Sequence, residues 1–430
     1  MKRNAPDEDA THSNVDFCRS GVLRLGQLQG AVRTVGNKTV LISGAGVAGP
    51  TLAYWLLESG FQPVIVERAP KFREAGYIVD FWGLGYDVAE QMGLIPALHT
   101  NGYVNDRAVF VRADGRERSS FGGDALRRSL GDRFLSIQRG DLARLIYDTV
   151  RDRVETRFGD EIAVLEQRAD CVEVGFRDGK IRSFDCVVGA DGLHSKVRAE
   201  MFVPRTAIER YLGYYAAVFV TRGYSRRSDR TYLSYASPGR QISRFALRDD
   251  ETGFLFVFRK RDRDPELARD LPAQKRALFQ AFETEKWEEW PEIRKHLEAC
   301  DDLYFDAVAQ VECPLWSTGR VALVGDAAYC PSLLAGEGSA LAMAGAYILA
   351  GEMAGATGDC SAAFGSYERR FRPFIERKQK SARAFASSFA PTTSGGLIVR
   401  DIVLKLTAIP LIADRLMRRF VTDNFSLPKY

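Results

Sequence analysis

The sequence is short of the residues that metal and nucleophile chemistry require. It has only four histidines in 430 residues, and they are scattered: His12, His99, His194 and His296. A histidine-rich metal site or a Ser/His/Asp triad therefore has little material to draw on, and we expect no bound metal. The seven cysteines form no CxxC pair. That argues against a disulfide framework and favours a reducing compartment, so we expect a cytoplasmic protein.

Charge and hydropathy exclude two further classes. The 60 basic and 56 acidic residues leave a net charge of only +4, so we expect no nucleic-acid partner. No apolar run approaches the roughly 18 residues of a membrane span. The apolar segment 397–420 is interrupted by charges and predicts an amphipathic packing helix, kinked at Pro410, which leaves peripheral membrane contact open. The sequence does not indicate an oligomeric state.

The first 36 residues differ from the rest. They are mostly polar, and the acids at 7–9 argue against a mitochondrial transit peptide. We expect residues 1–36 to be a disordered extension or an over-long gene start.

A glycine-rich turn follows the first buried-strand pattern. The run 40–43 precedes Gly44, Gly46 and Gly49, and a helical pattern comes next. Gly44 permits a tight turn, Gly46 lets the backbone approach a pyrophosphate, and Gly49 lets helix and strand pack closely. A second strand at 64–66 completes a βαβ unit. The alternative is a turn that only packs a helix on a strand.

An acid ends that second strand. Glu67 lies about 20 residues beyond the glycines, where a carboxylate accepts hydrogen bonds from ribose hydroxyls. A 2′-phosphate is disfavoured there, so the site favours FAD or NAD over NADP. We include Ala48 and Arg68, which flank these positions, among the cofactor-binding residues.

Two later strand patterns end in an acid beside glycine. Asp191 and Gly192 follow the run 186–189, and Gly325 and Asp326 follow the run 321–324. In α/β sheets, ligands bind at the carboxyl ends of the strands. Each motif alone is also compatible with an ordinary turn, and a plain NAD dehydrogenase leaves the later motif unexplained.

The three motifs together resemble those of the class A flavoprotein monooxygenases, built on the p-hydroxybenzoate hydroxylase fold. The resemblance spans roughly residues 38–377. It implies an α/β protein with a Rossmann-like FAD-binding domain on a mixed sheet, a second domain on an antiparallel β-sheet, and C-terminal helices. The implied bounds are 37–205 with 305–375 for the FAD-binding domain, 206–304 with part of 80–135 for the substrate domain, and 376–430 for the helices.

The resemblance also implies roles for single residues. Asp191 would help to hold the FAD pyrophosphate and serve in NAD(P)H use, Asp326 would bond the ribityl or ribose hydroxyls, and Arg139 would contact FAD. Pro331, Gly336 and Gly338 match the loop beside the flavin ring. The family's acid pair is missing from the following helix, where Ala344 and Gly345 stand.

One further segment resembles a narrower group within this class. Residues 73–85 resemble the corresponding part of the tetracycline-inactivating monooxygenases within this class. By that match Arg73 would contact the nicotinamide cofactor and Asp80 the flavin. The simpler interpretations are a solvated arginine and a turn aspartate.

The implied function is an FAD-dependent monooxygenase. It would use NADPH or NADH and O2 to hydroxylate an aromatic or polyketide-like small molecule through a flavin hydroperoxide. A prenyl-lipid-type reductase, a flavin-dependent halogenase (echoed weakly by Trp287–Pro291) and a non-catalytic flavin-binding protein remain as alternatives. An aromatic-rich sheet could line the substrate pocket, without assignment of single residues: Tyr214, Tyr215, Phe219, Tyr232, Tyr235, Phe245, Phe254 and Phe256.

Overall fold

The structure of the protein is a computed structural model. It describes residues 38–72, 77–103, 107–122, 133–202, 208–228, 230–268, 270–357, 359–406 and 424–430. The predictions for residues 1–36 and for Arg73 lie outside these ranges.

Strands and helices alternate near the start of the described chain, and long strands dominate its middle. The strands are β1 (Thr39–Ser43), β2 (Gln62–Glu67), β3 (Ile78–Phe81), β4 (Arg107–Val111), β5 (Glu117–Gly122), β6 (Leu135–Gln138), β7 (Glu155–Phe158), β8 (Ile162–Gln167), β9 (Val172–Phe176), β10 (Ile181–Phe184), β11 (Cys186–Gly189), β12 (Glu209–Arg222), β13 (Thr231–Ser237), β14 (Arg240–Ala246), β15 (Glu251–Arg259), β16 (Tyr304–Val311), β17 (Ser317–Thr318) and β18 (Val321–Leu323). The α-helices are α1 (Ala48–Glu58), α2 (Gly83–Gln91), α3 (Ile95–Asn101), α4 (Arg139–Asp148), α5 (Lys196–Met201), α6 (Leu271–Phe282), α7 (Trp290–Ala299), α8 (Asp326–Tyr329), α9 (Gly338–Gly355), α10 (Cys360–Phe389) and α11 (Ser394–Leu406). Short 3₁₀ turns cover Pro265–Ala268 and Leu333–Ala335.

The three motif-bearing strands belong to one sheet. Its order is β17-β18-β11-β1-β2-β7. β1 pairs in parallel with β2 and β11, and β11 pairs in parallel with β18. Because parallel strands end at the same edge, the segments that follow β1, β11 and β18 meet there. The antiparallel pairing of β17 makes the sheet mixed, as the resemblance implied.

Helix α9 forms the buried centre of this half. It is composed of small and apolar residues on every side, and residues 341–351 are all buried. Helices α1, α2 and α10 pack around it. A Cβ on Gly345 would lie 1.8 Å from the Tyr329 hydroxyl. The missing acid pair at 344–345 therefore has a packing reason, since both positions lie among buried groups.

A second sheet has seven strands in the order β16-β12-β15-β14-β13-β4-β5. Strands β12 to β15 pair antiparallel, as the resemblance implied for the second domain. β4 joins in parallel beside β13, and β5 forms the edge. Smaller sheets join β3 with β6 and β8 with β9 and β10.

The two faces of the seven-stranded sheet have different neighbours. The outer face packs beneath α6 and α7. Trp287 and Trp290, from the segment that weakly resembles a halogenase motif, are buried in the same hydrophobic core. Five of the eight aromatic candidates belong to this face: Tyr215, Phe219, Tyr235, Phe254 and Phe256. The inner face packs against the 333–335 turn and carries Tyr214. Strand alternation puts Tyr232 and Phe245 on the inner face as well.

The sequence pattern at 136–151 predicts a single helix, but the helix begins only at Arg139, because Leu135–Gln138 pairs antiparallel with β3. The helix expected at 397–420 is α11 as far as Leu406, and residues 407–423 lie outside the described ranges. An amphipathic helix usually packs through its apolar face, but α11 packs on the sheet through charged residues. Arg400 and Asp401 face the sheet, and the exposed side carries Ile398, Val399, Ile402, Val403 and Leu406.

None of the helices in the described residues is long and apolar enough to span a bilayer.

A buried ion pair joins the second sheet to the helices on its outer face. Arg244 Nε on β14 lies 2.8 Å from Glu289 Oε2, just before α7, and the two side chains are only 6 and 7% exposed. The Tyr224 hydroxyl donates to the same carboxylate at 2.6 Å. Loss of the carboxylate would leave both partners buried without an acceptor.

Glu289→Ala should lower the free energy of unfolding by about 3–5 kcal/mol, because it strands a buried guanidinium. Glu117→Ala removes a matched pair with Arg107 whose side chains are about half exposed, so it should cost less than about 1 kcal/mol. Urea denaturation of both variants measures the difference. Equal losses would show that burial does not set the cost.

Candidate cofactor site

An open cavity of about 350 Å³ lies at the carboxyl ends of β1, β11 and β18. The glycine turn, both acid-bearing segments, the start of α4 and strand β16 form its walls. Motifs that lie far apart in the sequence therefore meet in one place. The predicted site residues that line the cavity are Gly44, Gly46, Ala48, Glu67, Arg68, Arg139, Asp191, Gly192, Asp326, Gly336 and Gly338.

Four predicted residues lie elsewhere. Gly49 packs under the turn, Gly325 precedes α8 with a φ of +67°, and the Pro331 carbonyl accepts a hydrogen bond from Gln310 at 2.7 Å. Asp80 lies in a separate small pocket with Trp82, Glu337 and Lys378. Its carboxylate accepts a hydrogen bond from Ser136 at 2.6 Å.

Two glycines of the turn are needed for different reasons. A Cβ on Gly49 would lie 2.0 Å from the Gly44 carbonyl oxygen, so packing alone excludes a side chain there. A Cβ on Gly46 would meet only the Arg139 guanidinium, at 3.8 Å. Nothing in the described protein requires glycine at 46, but a ligand that approaches the backbone would. This is the observation expected of a pyrophosphate cradle.

Glu67 is held rigidly at one end of the cavity. Its two carboxylate oxygens accept backbone N–H bonds from Ala45 at 2.9 Å and Ala69 at 2.8 Å. Each oxygen keeps a further lone pair that can accept from a hydroxyl.

The carboxylate of Asp191 is largely engaged within the protein. One oxygen accepts from the Ser195 hydroxyl, and the other accepts from the backbone N–H groups of Lys196 at 2.8 Å and Val197 at 3.1 Å. Burial raises the pKa of Asp191, and these hydrogen bonds lower it. Asp191 therefore caps the first turn of α5 beside the N-cap residue Ser195, and it fixes the backbone of Lys196, which lines the cavity together with His194.

Arg198 links the segments around the cavity from the buried side, a role that the sequence does not indicate. Its side chain is 1% exposed, as is that of its ion-pair partner Glu209, 2.9 Å away. Its other terminal nitrogen donates to the Ala327 carbonyl at 2.9 Å. One guanidinium thus joins the segments after β11 and β18 to the start of β12.

His194 is a cation at the cavity wall that the sequence reading missed. Its Nε2 lies 3.1 Å from Asp306 Oδ2, and its Nδ1 lies 3.8 Å from Glu209 Oε1. Hydrogen bonds to Asp306 and Glu209 raise the pKa of His194 to about 9. Its position directly after the Asp191–Gly192 pair was the available signal.

Two tyrosines of the cavity wall were also missed. The rings of Tyr77 and Tyr304 lie 5.3 Å apart. Burial raises the pKa of Tyr77 to about 12, so its hydroxyl stays protonated. No local motif marks Tyr304, because β16 reaches the cavity from the other sheet.

Arg139 begins α4 and borders the cavity. Its guanidinium makes no hydrogen bond or ion pair with the described residues. Burial raises the pKa of Asp326 while the charge of Arg139 lowers it. Arg139, His194 and Lys196 supply positive charge for a diphosphate, and Glu67 and Asp326 supply acceptors for hydroxyls. This donor set fits FAD. In the described ranges no cluster of three His, Cys, Asp or Glu side chains is placed to hold a metal.

Comparison with known proteins identifies the class. Residues 37–380 match the FAD binding domain family, and the chain belongs to that family. It is an FAD-dependent monooxygenase. A flavin-dependent monooxygenase of Legionella longbeachae is 34% identical over 92% of this chain and 98% of its own length. Another, from an unknown prokaryote, is 36% identical over 82% of this chain and 90% of its own.

Solved structures agree with this class. The tetracycline destructase Tet(55) superposes with a TM-score of 0.77 at 32% identity, over 92% of this chain and 99% of its own. HpxO of Klebsiella pneumoniae, complexed with FAD and uric acid, has a TM-score of 0.74 at 23% identity, over 91% of this chain and 98% of its own. The second similarity supports the fold alone.

Gly46→Ala should fold normally but bind FAD at least about tenfold more weakly, because its methyl group enters space that only a ligand needs. FAD titration of the stripped protein and thermal melting measure the two effects. Gly49→Ala is the matched control and should destabilise the protein itself by more than about 2 kcal/mol. Unchanged FAD affinity in Gly46→Ala would contradict the cradle.

His194→Gln should cost stability in a pH-dependent way. The folded pKa of about 9 lies above the ordinary value of 6.5. The stabilisation is therefore complete below pH 6.5 and is lost as the pH rises through 9. The side chain is partly exposed, so we expect only about 1 kcal/mol. Urea unfolding of wild type and variant between pH 6 and 10 measures this, and a constant gap would argue against the charged pairing.

Proposed function

We propose that the protein uses NADH or NADPH and O2 to hydroxylate an aromatic or polyketide-like small molecule at bound FAD. The observation that carries this is the cavity at the edge of the parallel sheet. Its lining combines a ligand-shaped gap at Gly46, cations for a diphosphate and carboxylates for hydroxyls.

Each part of the cavity has a task in this proposal. The glycine turn and the start of α1 present backbone N–H groups to the pyrophosphate, with Arg139, His194 and Lys196 nearby. Glu67 accepts from the ribose hydroxyls, and Asp326 accepts from the ribityl or ribose hydroxyls. Asp191 acts on the pyrophosphate indirectly, through the cap it makes on α5.

The 331–338 segment is proposed to lie beside the flavin ring. Gly336 has a φ of +71°, which glycine adopts without strain. Glu337 is fixed by an ion pair with Lys378 on α10, with a distance of 2.8 Å between Nζ and Oε1. Gly338 begins α9, whose positive end would stabilise negative charge on a reduced flavin bound there. Asp80 shares the small pocket with Glu337 and would contact the flavin from there, as the resemblance implied.

Bound FAD would supply hydride acceptance from NAD(P)H and activation of O2. The chain's own contribution is to position the substrate and exclude water. Leu333 and Leu334 pack against Tyr214 and Val308 of the inner face. This gives an apolar wall directly beside the proposed ring position.

The domain division is part of the proposal, with one boundary moved. Residues 37–205 carry the first strands of the cofactor sheet, and 206–304 carry β12 to β15 of the other sheet. β16 (Tyr304–Val311) completes the seven-stranded sheet. We therefore place the return to the cofactor domain after Val311 rather than at 305, with the helical region from 376 to 430 last.

A tetracycline-like ring system is the candidate substrate. The destructases that superpose on 92% of the chain are named for tetracycline. The segment 77–85 that resembles theirs borders the small pocket beside Glu337 through Asp80, Trp82 and Leu84.

The first test is an absorbance spectrum of the purified protein, then NADH and NADPH oxidation in air with tetracycline, 1-naphthol or 4-hydroxybenzoate. We expect flavin bands, oxidation stimulated by a ring compound, and a product heavier by one oxygen atom. Gly46→Ala at low FAD is the control. Bound FAD without stimulation by any ring compound would favour a non-catalytic flavin-binding protein, and product formed without O2 would favour a reductase.

A further inference from the structure

Ser332 has a backbone conformation that L-amino acids rarely adopt. Its φ is +118°, and it is only 2% exposed. The other non-glycine residues with a positive φ in the described ranges have smaller φ values and are exposed: Arg230, Asp249, Asp250 and Thr357. Strain of this kind persists only where the surrounding structure enforces it, and it clusters at functional sites. Ser332 lines the cofactor cavity, so its conformation shapes the wall there.

Two buried glutamine side chains hold the peptide groups that precede Ser332. The Gln310 amide on β16 donates to the Pro331 carbonyl at 2.7 Å. The Gln379 amide on α10 donates to the Cys330 carbonyl at 3.4 Å, and a backbone N–H of β16 donates to the same oxygen at 3.1 Å. The two glutamines are only 0 and 6% exposed. Both carbonyls before the strained residue are therefore engaged by β16 and α10.

The two amides are fixed in turn by their other partners. Gln310 Nε2 also donates to the Gln379 carbonyl at 2.9 Å, and Gln379 Nε2 donates to the Val311 carbonyl at 2.6 Å. Gln310 Oε1 accepts from Arg383 Nη1 at 3.1 Å, and a guanidinium can only donate. The nitrogen of the Gln310 amide must therefore face Pro331. A fully satisfied buried network of this kind rigidifies the backbone that it contacts.

This network lies behind the cavity wall. Cys330 and Ser332 line the cavity, but Pro331 and the two glutamines do not. The carbonyl oxygens of residues 330 and 331 therefore point away from the proposed position of the flavin ring. A carbonyl oxygen carries partial negative charge, and turned towards the ring it would oppose negative charge on a reduced flavin.

We propose that Gln310 and Gln379 are positioning residues, which hold Ser332 in its strained conformation and so keep the carbonyls of residues 330 and 331 turned away from the flavin. The proposal rests on the proposed function, because it needs the ring beside the 331–338 segment. Without either amide, Ser332 can relax towards a negative φ, and the preceding peptide group rotates with it. The freed carbonyl would then make reduction of the flavin less favourable.

The test measures the midpoint potential of bound FAD in Gln310→Met and Gln379→Met. Methionine is a flexible side chain that fills the same space but cannot donate a hydrogen bond. The reduction equilibrium should shift about tenfold towards oxidised flavin, which makes the potential of a two-electron couple about 30 mV more negative. FAD affinity should stay within about threefold of wild type, because the diphosphate end of the cavity is untouched.

Gln274→Met is the matched control. Gln274 is 7% exposed and donates to the Leu267 carbonyl at 2.7 Å, but it lies on α6, which covers the outer face of the second sheet. Its replacement should cost stability, as in the other two variants, and leave the potential of the flavin at the wild-type value. Urea unfolding checks that every variant is folded.

Ser332→Gly separates strain from a general effect on packing. Glycine adopts a positive φ without strain, so adding Ser332→Gly to either methionine variant should recover at least about half of the shift in potential. If Gln310→Met does not fold, Gln379→Met carries the comparison. A wild-type potential in the folded methionine variants, or a shift that glycine does not reduce, would overturn this inference alone. A wild-type protein that takes up no FAD would overturn it together with the proposed function.

Discussion

The site depends on the buried guanidinium of Arg198. It contacts the carbonyl of Ala327 and the carboxylate of Glu209, and it lies in the helix that Asp191 caps. The segments after β11 and β18 are thereby held at one spacing, and the seven-stranded sheet is attached to both through the first residue of β12. Glu209 also pairs with Arg263, 3.0 Å away, and with His194, so the buried carboxylate is shared by three cations. A charge network this deep is tolerated because its members are paired.

The predictable parts of the site are those formed by short stretches of contiguous residues. The glycine turn, Glu67 and the two acid-bearing turns follow strands whose apolar runs are plain, and parallel pairing brings them to one edge. Tyr304 and Asp306 could not be found in this way, because they come from a strand of the other sheet. The reversed polarity of α11 was equally hidden, since an amphipathic pattern does not say which face is covered. The strand at 136–138 is likewise hidden in the sequence, because its partner, β3, is remote along the chain.

Residues that belong to the same sequence motif have different roles in the structure. Gly46 and Gly49 belong to one glycine motif. Gly46 leaves room for a ligand, whereas Gly49 leaves room for the carbonyl group of Gly44. Asp191 lines the cavity in which the pyrophosphate is expected, and its carboxylate also accepts two backbone N–H groups of α5. Motif membership thus indicates a site, and only the neighbours of each atom indicate what that residue does there.

The order of the strands has a consequence for how the protein is made. β1 and β11 lie at the centre of the cofactor sheet, and β18, which pairs with β11 and carries the edge strand β17, begins only at Val321. A chain emerging from the ribosome has therefore synthesised the glycine turn long before its sheet can close. Sheets built from such distant segments fold slowly. Until Asp326 and α9 arrive, the nascent chain carries an unpaired edge and an uncovered apolar surface, the state that chaperones recognise.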